Sequence, residues 1–179
     1  AVFRNWKSNN QPLVIPNSVT SIGGSSFQNW SVNNQPLVIP NSVTSMGIFT
    51  FSDWRENNQP LVISESITEI DWYTFRNWEA NNHPLIIPKS VTNIDNSAFE
   101  NWSSNTHPLV IPDSVTSIGS RAFYNWQSVP YIEVQAITPP TLVNINAFDG
   151  QGNAPIYVPD ESVDDYKTAT NWVDLADRI

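Results

Sequence analysis

The side chains of this 179-residue chain that could do chemistry are few, and most of them recur at a fixed spacing. His83 and His107 are its two histidines, 24 residues apart, in a column where other copies hold Gln11, Gln35 and Gln59. Two imidazoles one coil apart could chelate a metal, yet such a site needs further ligands and no carboxylate stands beside them. Exchange of one polar residue for another in a stacked column accounts for both. Ser18, Ser42, Ser66, Ser90 and Ser114 return with the same period, without the non-repeating base that a nucleophilic triad needs. Asp160, Glu161, Asp164 and Asp165 gather near the end. They lack the alternating oxygen ligands of a calcium loop and suit the start of a helix, whose dipole favours negative charge. No nucleophile elbow, phosphate loop or zinc-protease motif occurs. The expectation is therefore no catalytic residue, no metal and no cofactor: a non-enzyme.

Composition narrows the partners. A formal net charge of −9 argues against nucleic acid and against docking on anionic lipid. There is no cysteine, so disulfides and thiolate metal sites are excluded. No apolar run is long enough for direct membrane insertion.

Those scattered groups are positioned by a repeat. Phe3, Phe27, Phe51, Phe75, Phe99 and Phe123 form one column, and Trp6, Trp30, Trp54, Trp78, Trp102 and Trp126 a second, each at 24-residue intervals. A fixed period of this size predicts a solenoid, in which each coil buries its apolar side only against its neighbours. Leu37-Val38-Ile39 lies between Pro36 and Pro40, which limit it to a short strand. Stacked on Leu13–Ile15, Leu61–Ile63, Leu85–Ile87 and Leu109–Ile111, it predicts a parallel sheet with coils roughly 4.8 Å apart. Val43 and Met46, with their equivalents, point inward on the return side. The column Gly23, Gly47, Asp71, Asp95, Gly119 predicts a left-handed turn, and Phe and Trp three apart read as one helical turn. Repeated asparagines (Asn9/Asn10 through Asn81/Asn82, and Asn105) are placed to bond backbone groups of adjoining coils.

Two surfaces are candidate binding sites. If Leu and Ile fill the core, Val14, Val38, Val62, Ile86 and Val110 form an aliphatic ribbon on the outer face of the sheet. Strand propensity alone, or covering by another part of a larger protein, would also place such residues there. In the second column, Trp30, Trp54, Trp78 and Trp102 either pack in the core or line the coil edge as aromatic contacts for sugar rings.

The phrase Ile39-Pro40-Asn41-Ser42-Val43-Thr44-Ser45-Met46-Gly47, followed by Phe51, resembles the BspA-type leucine-rich repeat of bacterial surface proteins. Nearly the same words recur at Ile15 to Gly23 and Ile111 to Gly119, and Ala-Phe stands at Ala98-Phe99 and Ala122-Phe123. The likeness covers roughly Pro12 to Phe148. It implies a curved parallel-sheet solenoid, extracellular or cell-surface display, and adhesion or protein binding. The sequence departs from that pattern in its 24-residue unit against about 23, in Trp at the place of the family's Cys, and in Asn-Asn at the place of a Leu.

The reading is a β-rich solenoid: a leucine-rich-repeat-like parallel sheet with 24-residue coils, short helical turns and a C-terminal cap. Residues 1–136 form the repeat, its first coil truncated, and residues 137–179 the divergent last coil and cap. In the latter, Ile156-Tyr157-Val158 predicts a last strand. Asp160 or Ser162 would cap a helix whose apolar face carries Val163 and Tyr166 and continues through Trp172, Leu175 and Ile179. Because Ala1-Val2-Phe3 opens in mid-repeat, the chain reads as a fragment that self-associates end to end through the truncated N-terminal coil. The expected function is non-catalytic recognition of a host or neighbouring-cell protein or glycan. A passive spacer displaying another domain is the alternative.

Overall fold

The structure, a computed structural model, describes residues 3–179; Ala1 and Val2 lie outside the described residues. Two stacks of very short parallel strands run along the molecule. The first contains β2 (Leu37–Val38), β4 (Leu61–Val62), β7 (Leu109–Ile111), β9 (Ile132–Val134) and β11 (Ile156–Tyr157). The second contains β1 (Ser21–Ile22), β3 (Ser45–Met46), β5 (Glu69–Ile70), β6 (Asn93–Ile94), β8 (Ser117–Ile118) and β10 (Thr141–Leu142). Pairing follows the repeat: Leu37 faces Leu61, Ile94 faces Ile118 and Leu142 faces Ile118 across successive coils. Leu13–Ile15 and Leu85–Ile87 hold the same column without becoming strands. Prolines on both flanks leave three N–H groups per coil for the ladder, which keeps every strand of this stack to two or three residues.

The anticipated left-handed turn is real but displaced. The Gly/Asp column does not carry positive φ. Left-handed residues stand two and six positions later, at Ser25, Phe49, Tyr73, Ser97 and Arg121 and at Asn29, Asp53, Asn77, Asn101 and Asn125. The glycines answer a different demand. A Cβ on Gly47 would lie 2.6 Å from the Gly24 nitrogen, and one on Gly119 2.5 Å from the Asn96 nitrogen. Between the two left-handed residues the chain turns once, with Ala98 and Glu100 N–H donating to the Asp95 and Ser97 carbonyls. Left-handed residues at both ends stop that turn from propagating into a helix. Alternate N–H groups here donate to the following coil: Ser97, Phe99 and Asn101 to the carbonyls of Ser120, Ala122 and Tyr124. This third ladder runs along the Phe–Trp edge.

Aromatic rings fill the centre. The Phe column stacks face to face from Phe3 to Phe148 with centroids 5.4–5.9 Å apart. The Trp column stacks from Trp6 to Trp126 at 5.4–5.6 Å. Within a coil the two rings meet edge to face, as their quadrupoles favour.

Ladders continue beyond the regular repeat, since β9, β10 and β11 pair with the coils before them. Helix α1 (Val163–Thr168) and a 3-10 segment at Val173–Arg178 then close over the last coils. Tyr166 OH donates to the Ala136 carbonyl at 2.7 Å and Trp172 Nε1 to the Pro140 carbonyl at 2.8 Å. Burial holds the Tyr166 hydroxyl above its ordinary pKa. Neither Asp160 nor Ser162 caps α1 through its side chain. The chain enters the helix from a 3-10 turn at Asp160–Ser162, so Ser162 lacks the extended backbone that capping needs.

Candidate functional site

Strand alternation places the aliphatic ribbon outside. Leu37, Ile39, Leu61 and Ile63 are buried, whereas Val14, Val38, Val62 and Ile86 are 79%, 53%, 50% and 65% exposed. Val110 is half-buried. Around Ile86 and Val110 the ribbon dips into an open groove of about 620 Å³, walled by Pro84, Pro88, His107 and Tyr131. Past Val110 the column continues as Glu133 and Tyr157 by strand register, an acidic and aromatic end that the sequence reading missed. The register shift explains the miss: Leu109 pairs with Ile132, one residue short of the period.

The tryptophans go the other way. Trp30, Trp54, Trp78 and Trp102 are buried, and their ring faces are covered by the next Trp in the column. Their N–H groups are also committed. Trp54, Trp78 and Trp102 Nε1 donate at 2.8 Å to the carbonyls of Phe27, Phe51 and Phe75, one coil back. The reading of this column as aromatic contacts for sugar is thereby corrected: no ring face is presented to solvent, because stacking consumes both. At the end of the repeat Gln151 Nε2 takes over the same duty, donating to the Phe123 carbonyl at 2.9 Å.

Asparagines are structural too. Asn57, Asn81 and Asn105 are buried, each donating to a carbonyl one coil back (Gln35, Gln59, His83) and accepting from the N–H two residues on. Asn101 Nδ2 donates to Asn77 Oδ1 at 2.7 Å and Asn125 Nδ2 to Asn101 Oδ1 at 2.9 Å, a side-chain ladder along the left-handed column. Three of the serine hydroxyls are occupied likewise, Ser66, Ser90 and Ser114 donating to the carbonyls of Asn41, Ile67 and Val91, whereas Ser42 Oγ is buried without a partner. His107 Nε2 lies 3.2 Å from the Asn82 carbonyl. Among the described residues, no three His, Cys, Asp or Glu side chains converge as metal ligands.

One titrating group stands out. Burial, then a hydrogen bond and charge from Glu69, then the charge of Asp71, push the Asp95 carboxyl up to about 6. The folded chain therefore binds this proton more tightly than the unfolded chain, and stability from this group rises as pH falls from about 6 to 3.8. Asp95→Asn is expected to raise the melting temperature at pH 7 and to flatten its rise between pH 7 and 4.5. Thermal melts at the two pH values check this.

The family described as BspA type leucine rich repeat region matches residues 1–130 in six copies. Among solved structures, the chain is similar to a leucine rich cell surface protein of Faecalibacterium prausnitzii A2-165, at 28% identity and a TM-score of 0.61 over 67% of this chain and 31% of that one. A leucine-rich repeat protein of Bacteroides ovatus ATCC 8483 shares the fold, with 20% identity and a TM-score of 0.63 over 79% of this chain and 41% of that one. The chain thus spans less than half the length of either structure. No curated protein matches it.

Proposed function

Since the chain belongs to the BspA-type leucine-rich repeat family, we propose that it is a non-catalytic recognition module, displayed at or outside the cell surface, that binds a host or neighbouring-cell protein or glycan. The observation that carries this reading is the ribbon Val14, Val38, Val62, Ile86 and Val110. Four of these five side chains stand exposed, one in each of four successive coils. Surface display is supported by the cell surface protein of Faecalibacterium prausnitzii with which the chain shares its fold.

A passive spacer is the second reading, favoured by the near identity of the ribbon residues and by ring stacks that stiffen the rod. The two differ in one experiment: binding of the wild type and of a Val38→Asp/Val62→Asp variant to arrays of glycans and extracellular-matrix proteins. Saturable binding that the variant loses supports the ribbon. No binding by either form supports the spacer. End-to-end self-association belongs to the same proposal. A strictly monomeric species in light scattering at high concentration would remove it.

A further inference from the structure

The uniformity of the coils makes their exceptions informative. At the corner after the return strand, successive coils carry Gly24-Ser25, Ile48-Phe49, Trp72-Tyr73, Asn96-Ser97 and Ser120-Arg121. Only the second and third pairs are large and apolar. Ile48 and Trp72 are 44% and 47% exposed, so they were not recruited to the core. Phe49 and Tyr73 stack on each other with centroids 4.5 Å apart, and both are held at positive φ, 58° and 60°. A bulky aromatic in the left-handed region is unfavourable, and the other coils place serine or arginine there. Among the described residues, Trp72 has no aromatic partner. Every other tryptophan ring packs against another ring.

The surroundings of this platform are also exceptional. Glu69 stands where neighbouring coils have Ser45 and Asn93, and Asp71 where they have Gly47 and Asp95. Asp71 Oδ1 accepts the Trp72 backbone N–H at 2.7 Å, which ties the carboxylate to the platform. On the adjoining ring the Arg76 guanidinium lies 5.4 Å from the centre of Tyr73 while its Nε faces Glu100 at 3.4 Å, which leaves the Trp72 face without a cation of its own among the described residues.

We propose that Trp72, exposed at the corner that also carries Ile48 and the Phe49–Tyr73 pair and following directly on Asp71 and the Glu69–Asp95 carboxyls of the paired return segments, is a binding site for an arginine side chain carried on an extended segment of a partner protein. The indole face attracts and desolvates the guanidinium plane, and the carboxylates supply the opposing charge. Burial first, and then the hydrogen bond and charge of Glu69 and the charge of Asp71, raise the proton affinity of Asp95, so three carboxyls share these return segments. A neutral sugar would use the indole and leave that charge unanswered. This surface lies on a different part of the coil from the valine ribbon, so it stands or falls separately.

Isothermal titration calorimetry with an octapeptide alternating arginine and glycine tests it, with maltohexaose as the neutral arm. Saturable, salt-sensitive binding of the peptide is expected, weakened by about tenfold or more in Trp72→Ala. Asp71→Asn should weaken it as well, with the Trp72→Ala melting temperature close to wild type. A Val38→Ser/Val62→Ser variant should bind the peptide as wild type does. No saturable binding, equal affinity in Trp72→Ala, or Trp72-dependent binding of maltohexaose without the peptide would each overturn the assignment.

Discussion

Trp78→Ala is expected to cost about 3–5 kcal/mol from lost packing, and a further 1–3 kcal/mol, roughly, from the orphaned Phe51 carbonyl. The ring is buried between Trp54 and Trp102 at 5.4 and 5.5 Å, so its removal opens a cavity that neither neighbour can fill without leaving its own stack. Its N–H is the donor to Phe51, a carbonyl buried beside the aromatic column. Trp78→Phe separates the two effects, because it keeps a ring and removes the donor. At about 2–4 °C per kcal/mol for a chain of this size, Trp78→Ala should lower the melting temperature by more than 10 °C, roughly, and Trp78→Phe by much less. Position adds to the effect. A solenoid is held coil to coil, so a gap in the middle uncouples the two halves. A melt that broadens or splits in Trp78→Ala is the corresponding signature. An alanine variant within a degree or two of wild type would show that the column is dispensable.

The parts of this fold that were legible in the sequence are those in which identity repeats. Columns of Phe, Trp, Leu and Ile at 24-residue spacing announce their own stacking, because an apolar side chain kept in every coil must be where every coil meets the next. The asparagines were legible for a related reason, since amide groups are what an irregular backbone needs to satisfy its N–H and C=O groups.

What was not legible is set by contacts between coils rather than by residue type. Ser25, Phe49, Tyr73, Ser97 and Arg121 share no chemistry that favours positive φ. Their conformation is imposed by N–H groups reaching the next coil, as Phe49 donates to the Trp72 carbonyl and Tyr73 to that of Asn96. The glycines drew attention to the wrong position, because their missing side chain serves close approach at Gly47 and Gly119. Residue type alone allows the tryptophan column either core or edge, and burial, ring stacking and the 27-residue bond from Nε1 to the preceding phenylalanine carbonyl together decide for the core. On the candidate surface, the ribbon of valines was readable from strand alternation. The corner at Trp72 was not, since it is a departure from the repeat and becomes meaningful only once its exposure is known.

Two adjacent residues give the sharpest test of which way the strands face. Leu61→Asp is expected to be severely destabilising, by several kcal/mol, on the order of the largest single-site effects. Leu61 is buried in register with Leu37, so a carboxylate there has neither water nor a partner and must ionise in an apolar stack or fold as the neutral acid. Val62→Asp, one residue on, should change stability little, because Val62 is half exposed and points away from the core. The pair shares strand, proline flanks and coil, so any difference between them isolates side-chain direction. Thermal and urea melts of the two variants should therefore lie many degrees apart. Equal melting temperatures would mean that inward and outward faces are wrongly assigned, and the ribbon would lose its standing as a surface. A large gap instead makes Val62→Asp a folded protein with an altered outer face, which is the condition under which loss of binding by the Val38→Asp/Val62→Asp variant speaks about recognition and not about folding.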